Sequence, residues 1–369
     1  MDDDELLTST ETARLLRVHP KHLYRLLRQG LPGHRAGKGH WRFWRSEVLA
    51  WLEARGRGGT SREGSIEVSV PEGLELGNRW FVSRIGNRWI AHPVRADHGH
   101  AADALSDDNA RPVTSGKVEV TAAATLTDLS ANVLVAGCAP LLGMLLDRVE
   151  SARERGRVHW LTANSTVALR LLADGFVHTA GIHLADGETG SDHVSLVKRA
   201  LPGRAFHLVH LVRWRQGLAV ARRNPKCIVS VQDLARPDLR VALREKGSGA
   251  RRVLDRALAD AGVNLRHMKH VATLADHRVV AQAVAFGAFD AGITVESAAL
   301  EAGLHFLPIV DEAFDLVIPV DLVAEANLGP VLDALDNRLL RREVAILGPY
   351  EVCRMGHVQT VLATTISCS

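Results

Sequence analysis

The sequence predicts an α/β protein in three parts: a small basic module of helices and a hairpin, a short β-rich connector, and a body of alternating strands and helices. Three observations predict it. Residues 6–58 carry eleven Lys or Arg against three acids, a net +8, although the whole 369-residue chain carries only +3. Within residues 66–94, runs of alternating apolar and polar positions lie between glycine turns. From residue 131 onward, short apolar runs alternate with 3.6-period segments, the pattern of a mostly parallel sheet covered by helices. With 46% hydrophobic and 24% charged residues, the chain has an ordinary globular composition and length for two or three cores.

The first helix is announced by Thr8 and Glu11, spaced as a capping box just before the apolar residues Ala13, Leu15 and Leu16. Pro20 suits the first position of a second helix, where Leu23, Leu26 and Leu27 form one stripe. Lys21, His22, Tyr24, Arg25 and Arg28 occupy its other face. Gly30 can end it in a left-handed cap. Residues 33–44 then read as a hairpin with a glycine-rich tip and basic flanks, among them Arg35, Lys38 and Arg42. Ser46 is placed to cap a last helix, 47–54, that buries Val48, Trp51 and Leu52.

Two short helices, the second basic on its open face, form a helix-turn-helix pattern. The run LLTSTETARLLRVHPKHLYRLLRQGLPGHRAGKGHWRFWRSEVLAWLEARG resembles the excisionase-type, MerR-like winged helix-turn-helix over its whole length. It departs at His19, where that family more often has Ser or Asp as the helix cap. The resemblance implies double-stranded DNA as partner, with helix two in the major groove and the hairpin wing along the backbone. Lys21, His22 and Arg25 are the best placed to read bases, with Tyr24 beside them. Arg28, Arg35, Lys38 and Arg42 are placed as phosphate clamps, which supply affinity without sequence information.

Residues 55–65 are glycine-rich and charged, as in a flexible linker. Residues 66–70 alternate as a strand, and the repeat Gly77-Asn78-Arg79-Trp80 and Gly86-Asn87-Arg88-Trp89 suggests β-hairpins turning at the glycines. Residues 95–116 read as a polar loop. His92, His98 and His100 lack the carboxylate or Cys partners of a metal site and read as solvated loop histidines. Cys138, Cys227, Cys353 and Cys368 are far apart, which predicts free thiols in a reducing compartment and no metal site. The acidic start Met1-Asp2-Asp3-Asp4-Glu5 is unlike a secretory leader, and no apolar run reaches about 18 residues. A cytoplasmic protein without membrane contact is the expectation.

In the body, strands are expected at 133–136, 158–161, 176–184, 240–243, 289–293 and 314–318. Helices are expected at 140–151, 164–173, from 250 to 261, and at 279–286. Asn164-Ser165-Thr166 and Lys246-Gly247-Ser248-Gly249 each open a helix directly after a strand. Free N–H groups and the helix dipole attract anions there, and in an open α/β sheet ligands sit beyond the carboxyl ends of strands. The plainer alternative is that Ser and Thr only cap their helices.

The runs VAGCAPLLGMLL, HWLTANSTVALRLLADGFVHTAGIHLAD, QGLAVARRNP, REKGSGARRVLDRALADAGV, AVAFGAFDAGI and FDLVIP occur in the same order as in type 2 periplasmic-binding-protein-like domains. They look most like the branch fused to helix-turn-helix modules and related to molybdate-binding proteins. The resemblance implies two lobes, with the chain crossing near 213–218 and again near 308–319. It implies that Ser165 and Thr166, with Asn164, hold a ligand from one lobe, and Ser248 and Gly249, with Lys246 and Gly247, from the other. His183 would line the site. A small anion follows, with molybdate or tungstate favoured by the resemblance alone.

No G-x-S-x-G elbow, phosphate loop or H-E-x-x-H occurs, so no catalytic residue and no cofactor is assigned. The domains are read as 1–58 for DNA binding, 59–130 as connector and 131–369 as sensor, in a homodimeric, ligand-responsive, DNA-binding transcriptional regulator. Two alternatives stay open: an enzyme or carrier of molybdenum-cofactor or anion metabolism using the same cleft, and an architectural DNA-binding protein with a ligand-free scaffold. If helix two reads DNA, Lys21→Ala with Arg25→Ala should weaken binding to a cognate site more than tenfold, at about 1–3 kcal/mol per good base contact. Affinity should fall steeply with salt; a titration that leaves the double mutant unchanged removes the module from the mechanism.

Overall fold

A computed structural model describes residues 5–16, 18–28, 31–36, 40–58, 65–72, 77–95, 101–106, 116–153, 155–183, 193–325 and 328–363. Gly30, Lys38, His98, His100, Cys368 and most of the 55–65 linker lie outside the described residues. Two compact units form, one within 1–66 and 121–125, the other within 67–120 and 126–369.

In the first unit, β1 (Leu6–Thr8), α1 (Ser9–Leu15), α2 (Pro20–Arg28), β2 (His34–Ala36), β3 (His40–Trp44) and α3 (Arg45–Gly58) follow in order. The strands form an antiparallel sheet in the order β1-β3-β2. The capping box is present: the Glu11 N–H donates to Thr8 Oγ1 at 3.3 Å and the Thr8 N–H to Glu11 Oε2 at 2.8 Å. His19 turns out to be a working cap, since its Nδ1 accepts the Lys21 N–H at 3.3 Å. Leu7, Leu23, Leu31, Phe43 and Val48 make the core. The last helix differs from expectation. It starts at Arg45, so Ser46 lies within the first turn rather than before it. Val48 is buried and Trp51 packs on the core, but Leu52 is 45% exposed.

The second unit begins with a closed barrel of β4 (Ser65–Ser69), β5 (Arg79–Ile85), β6 (Arg88–Pro93), β7 (Ala104–Leu105) and β8 (Lys117–Ala122), ordered β4-β6-β5-β7-β8. The β5–β6 hairpin turns at Gly86-Asn87 as expected. β4 instead pairs in parallel with β6, which closes a barrel rather than a run of hairpins.

Then come α4 (Leu126–Ser130), β9 (Val133–Gly137), α5 (Leu141–Ser151), β10 (Val158–Thr162), α6 (Ser165–Ala173), β11 (Thr179–Ile182) and α7 (His193–Ala200). These form a first lobe. β12 (Phe206–Val220) leads into a second, made of β13 (Arg240–Arg244), α8 (Gly249–Asp260), β14 (His270–Leu274), α9 (His277–Ala285), β15 (Ala291–Val295) and α10 (Glu296–Glu301). β16 (His305–Pro319) returns to the first lobe, followed by α11 (Val320–Glu325), α12 (Gly329–Leu335), α13 (Arg338–Ile346), β17 (Tyr350–Glu351) and β18 (Val358–Val361).

One sheet runs through both lobes in the order β10-β9-β11-β16-β12-β15-β13-β14. β9 pairs in parallel with β10 and β11, and β13 with β14 and β15. β12 and β16 pair antiparallel from Phe206↔Pro319 to Val220↔His305, with register shifts at His210/Val212 and Gln216/Gly217. At the second shift a β-carbon on Gly217 would collide with the Leu307 carbonyl, so only glycine lets the backbones approach there. The predicted crossings near 213–218 and 308–319 are these two strands. β16 is far longer than the 314–318 expected from its apolar run, because Pro308 and the Asp311-Glu312 pair break up the apolar residues of its first half.

The barrel is welded to the first lobe. Phe81, Ile85, Ile90 and Val94 share a core with Val133, Leu134 and Leu172. Asn132 Nδ2 donates to the Val82 carbonyl at 2.7 Å, and Ser83 Oγ to the Asn132 carbonyl at 2.6 Å. His92 is therefore no solvated loop residue: it lies in β6, 1% exposed, with Nε2 2.9 Å from the Phe176 carbonyl. His178 Nδ1 accepts the Leu134 N–H at 2.9 Å, and its Nε2 reaches the Arg84 carbonyl at 3.1 Å. Burial holds both rings neutral, with pKa values lowered to about 4. An unfolded histidine titrates near 6.5, so between about pH 6.5 and 4 the unfolded chain takes up protons that the native seam excludes. Stability should fall with pH across that window, by about 1.4 kcal/mol per pH unit for each ring. In NMR titrations both rings should keep their neutral signals down to about pH 5, and the urea midpoint should drop between about pH 6 and pH 5. Ring signals that titrate near 6.5 would show the seam to be open.

Candidate functional site

On the first unit, Lys21 and His22 are exposed on α2. Arg35 lies over the Trp41 ring, 5.3 Å from its centroid. Arg42 Nη1 donates to the Trp41 carbonyl at 3.0 Å, and His34 Nε2 lies 2.7 Å from Glu47 Oε2. These contacts hold wing cations on a rigid strand pair. The side chains of Tyr24, Arg25 and Arg28, like Lys38, lie outside the described residues.

Between the lobes, the two helix starts singled out in the sequence meet. Asn164 Nδ2 donates to Glu245 Oε1 at 3.3 Å, and Thr166 Oγ1 to the Gly247 carbonyl at 2.7 Å. Ser165 Oγ accepts the His183 N–H at 3.2 Å. Gly249 lies directly against His183: a β-carbon there would strike the imidazole and stand 3.0 Å from the His183 carbonyl oxygen. The polar groups at these helix starts are largely committed, however. Asn164 Oδ1 caps α6 through the Val167 N–H at 3.0 Å. Ser248 Oγ caps α8 through the Arg251 N–H at 3.2 Å and donates to the Glu245 carbonyl at 2.8 Å. Lys246 is exposed.

The centre of the cleft joins His183, expected to line it, to residues the sequence reading passed over. His183 is 1% exposed, Glu312 1%, Gln216 0%, His277 1% and Cys138 6%. Cys138 Sγ lies 3.1 Å from His183 Nε2. On the other side of the ring, Nδ1 lies 3.2 Å from Glu312 Oε2 and 2.9 Å from Gln216 Nε2, which also donates to Glu312. Trp214 packs edge-on to His183 and His277, and Phe314 stacks on His183. Burial alone would lower the pKa of His183, but Cys138 and Glu312 outweigh it and raise the value to about 10. Burial drives His277 well below its usual value, and Arg244 and His183 push the same way.

Several buried polar atoms here have no hydrogen-bond partner within the protein: both ring nitrogens of His277, Oε1 of Glu312 and of Gln216, Nε1 of Trp214 and Nη1 of Arg244. Each such atom costs about 1–3 kcal/mol, and their clustering between two lobes marks the place a ligand would occupy. The ligating atoms of Cys138, His183 and His277 lie within 4.8 Å of one another. Wide cysteine spacing gave no hint that these three side chains would lie together. The usable signal was position. Cys138 directly follows β9, His183 follows β11 and His277 opens α9 soon after β14, all at carboxyl ends of strands.

Two family models match this chain. A family model described as the PBP superfamily domain matches residues 146–336, and one described as a helix-turn-helix domain matches residues 6–56. The uncharacterized protein YvgK of Bacillus subtilis (strain 168) is 33% identical over 230 residues, 62% of this chain and 73% of its own. Among solved structures, a putative phosphate ABC transporter substrate-binding protein from Clostridium perfringens has a TM-score of 0.47 at 13% identity, covering 60% of this chain and 99% of that one. The sulfate-binding protein SubI of Mycobacterium tuberculosis has a TM-score of 0.44 at 17% identity, covering 58% and 84%.

Cys227 and Cys353 are exposed, while Cys138 is enclosed by the cleft. Mass-spectrometric mapping after brief alkylation of the native protein should find Cys227 and Cys353 modified first and Cys138 only as the lobes part. Equal rates at Cys138 and Cys227 would contradict the closed cleft.

Proposed function

This chain belongs to the PBP superfamily, and we propose that it works as a ligand-responsive, DNA-binding transcriptional regulator, its helix-turn-helix reporting the state of the two-lobed domain. The observation that carries this reading is the set of unpartnered buried polar atoms shared by both lobes: His277, Trp214, Gln216, Arg244 and Glu312. A ligand that pairs them binds the closed form better than the open one, and only such differential affinity can drive closure. In a homodimer, closure would change the spacing or orientation of two DNA-binding modules of the excisionase type. Lys21, His22 and Arg25 would read bases from α2, with Arg28, Arg35, Lys38 and Arg42 on phosphates. Binding without turnover, in the cytoplasm, completes the proposal.

A second reading, a tetrahedral oxyanion such as molybdate or tungstate, is favoured by one feature. The starts of α6 and α8 oppose each other, and Arg244 Nη1 and Trp214 Nε1 are unpaired donors nearby. The buried Glu312 carboxylate stands against it. Calorimetry with molybdate, tungstate, sulfate and phosphate decides between binding and none.

Coupling between cleft and DNA can be tested without knowing the ligand. Gly249→Ala keeps His183 from seating on α8 and so shifts the lobes toward open. Against an operator selected from genomic fragments, this variant should change affinity at least about fivefold, the low end of ordinary allosteric coupling. If small-angle scattering shows the variant opened while operator affinity is unchanged, the cleft does not govern DNA binding.

A further inference from the structure

We propose that the cleft binds a thiophilic divalent d-block cation, with Cys138 and His183 of the first lobe and His277 of the second as its protein ligands. The inference deepens the regulatory reading by naming the ligand class of that same cleft, and it rests on that reading only for its consequence, not for the site.

Three observations carry it. The first is the donor set: one thiol and two imidazoles with their ligating atoms inside 4.8 Å, all buried. Thiolate with imidazole suits zinc, cobalt, nickel or copper rather than magnesium or calcium, which want oxygen ligands. Bonds of about 2.0–2.3 Å to such ions leave ligand atoms under about 4 Å apart, so the set must contract by roughly 1 Å at its widest. The second is His277, whose two ring nitrogens are buried without a partner. An imidazole sealed beside a thiol and a second imidazole, its ring nitrogens unpaired and the ligating atoms all within 4.8 Å, offers a lone pair that a cation can meet. The third is the support behind His183. Its Nδ1 is held by Glu312 and neighbours Gln216, which leaves Nε2 facing Cys138. A carboxylate behind a histidine on its far nitrogen is the arrangement that fixes tautomer and ring angle in metal sites.

The same Cys138–His183–Glu312 line would also suit a nucleophilic thiol. His277 has no role in that chemistry, and Cys138 is closed from solvent on this face, so the cation accounts for more of what is present. Because His277 stands on α9 and the other two ligands on the first lobe, the ion would tie the lobes together and hold them closed.

The test uses the full-length protein, stripped with chelator under reducing conditions and titrated with Co(II) and then Zn(II). One equivalent of Co(II) should bind, with a thiolate-to-metal charge-transfer band and the strong d–d bands of a low-coordinate site, and Zn(II) should bleach both. Cys138→Ser should lose the charge-transfer band, and His277→Gln should weaken Co(II) binding at least tenfold, each with unchanged circular dichroism. The proposal is overturned if wild type binds no Co(II) at micromolar concentration, or if the charge-transfer band survives in Cys138→Ser. Operator affinity with and without Zn(II) separates the two readings. A bound ion with unaltered operator affinity supports the site and removes the sensor role. No ion, with operator affinity altered by an oxyanion, removes the site and keeps the sensor.

Discussion

The pairing of β12 with β16 is the constraint on which the rest of the two-lobed domain depends. Each strand runs 15 residues and belongs to both lobes, so the lobes are joined by two hydrogen-bonded strands rather than by loose loops. The register shift at Gln216/Gly217, possible because Gly217 has no side chain to strike Leu307, lies in the stretch where the strands pass between lobes. Alternation along a strand puts Trp214 and Gln216 on one face, and Glu312 and Phe314 on one face of its partner. These four surround the His183 and His277 rings. The segment that must flex for the lobes to part is therefore the one that supplies the floor of the site. A ligand gripping that floor, as proposed, would act on the crossing strands directly.

The cost of that floor is substantial. Carboxylate, imidazole and guanidinium are removed from water in one place, and buried ion pairs of this kind often stabilise less than apolar residues of equal volume would. Elsewhere in the first lobe, buried charge is better satisfied: His193 and His210 take one oxygen each of Asp315, at 2.6 and 2.8 Å. Burial would raise the Asp315 pKa, but the two histidines more than offset it. The contrast between a complete His–Asp–His cluster and an incomplete one some residues along the same strand shows that the chain can satisfy buried charge when only stability is at stake.

Much of the fold was legible in the sequence because its signals are local. Thr8 with Glu11, Asn164 and Ser248 all cap the helices their positions suggested. What escaped depends on tertiary contact. The first half of β16 is interrupted by Pro308 and by Asp311 and Glu312, and β4 finds β6 rather than its sequence neighbour. His92 looks like a loop residue until Phe176 covers it. In the cleft, Asn164, Ser165, Thr166, Gly247 and Gly249 could be anticipated as neighbours because helix starts after strands are visible in sequence, and His183 from the family resemblance. The structure sets Cys138, Gln216, His277 and Glu312 beside them, and no spacing rule links residues so far apart.

Charge balance is the last consideration in choosing what the cleft can hold. Glu312 lies against His183, and Glu245 against Arg244, so both carboxylates at the centre face a base. A dianion would have to be buried beside Glu312, where a helix dipole of about half a charge offsets little of that cost. A divalent cation would bring the opposite charge to the same place. With one proposed ligand on α9 and two on the first lobe, its occupancy would bear on the angle between the lobes.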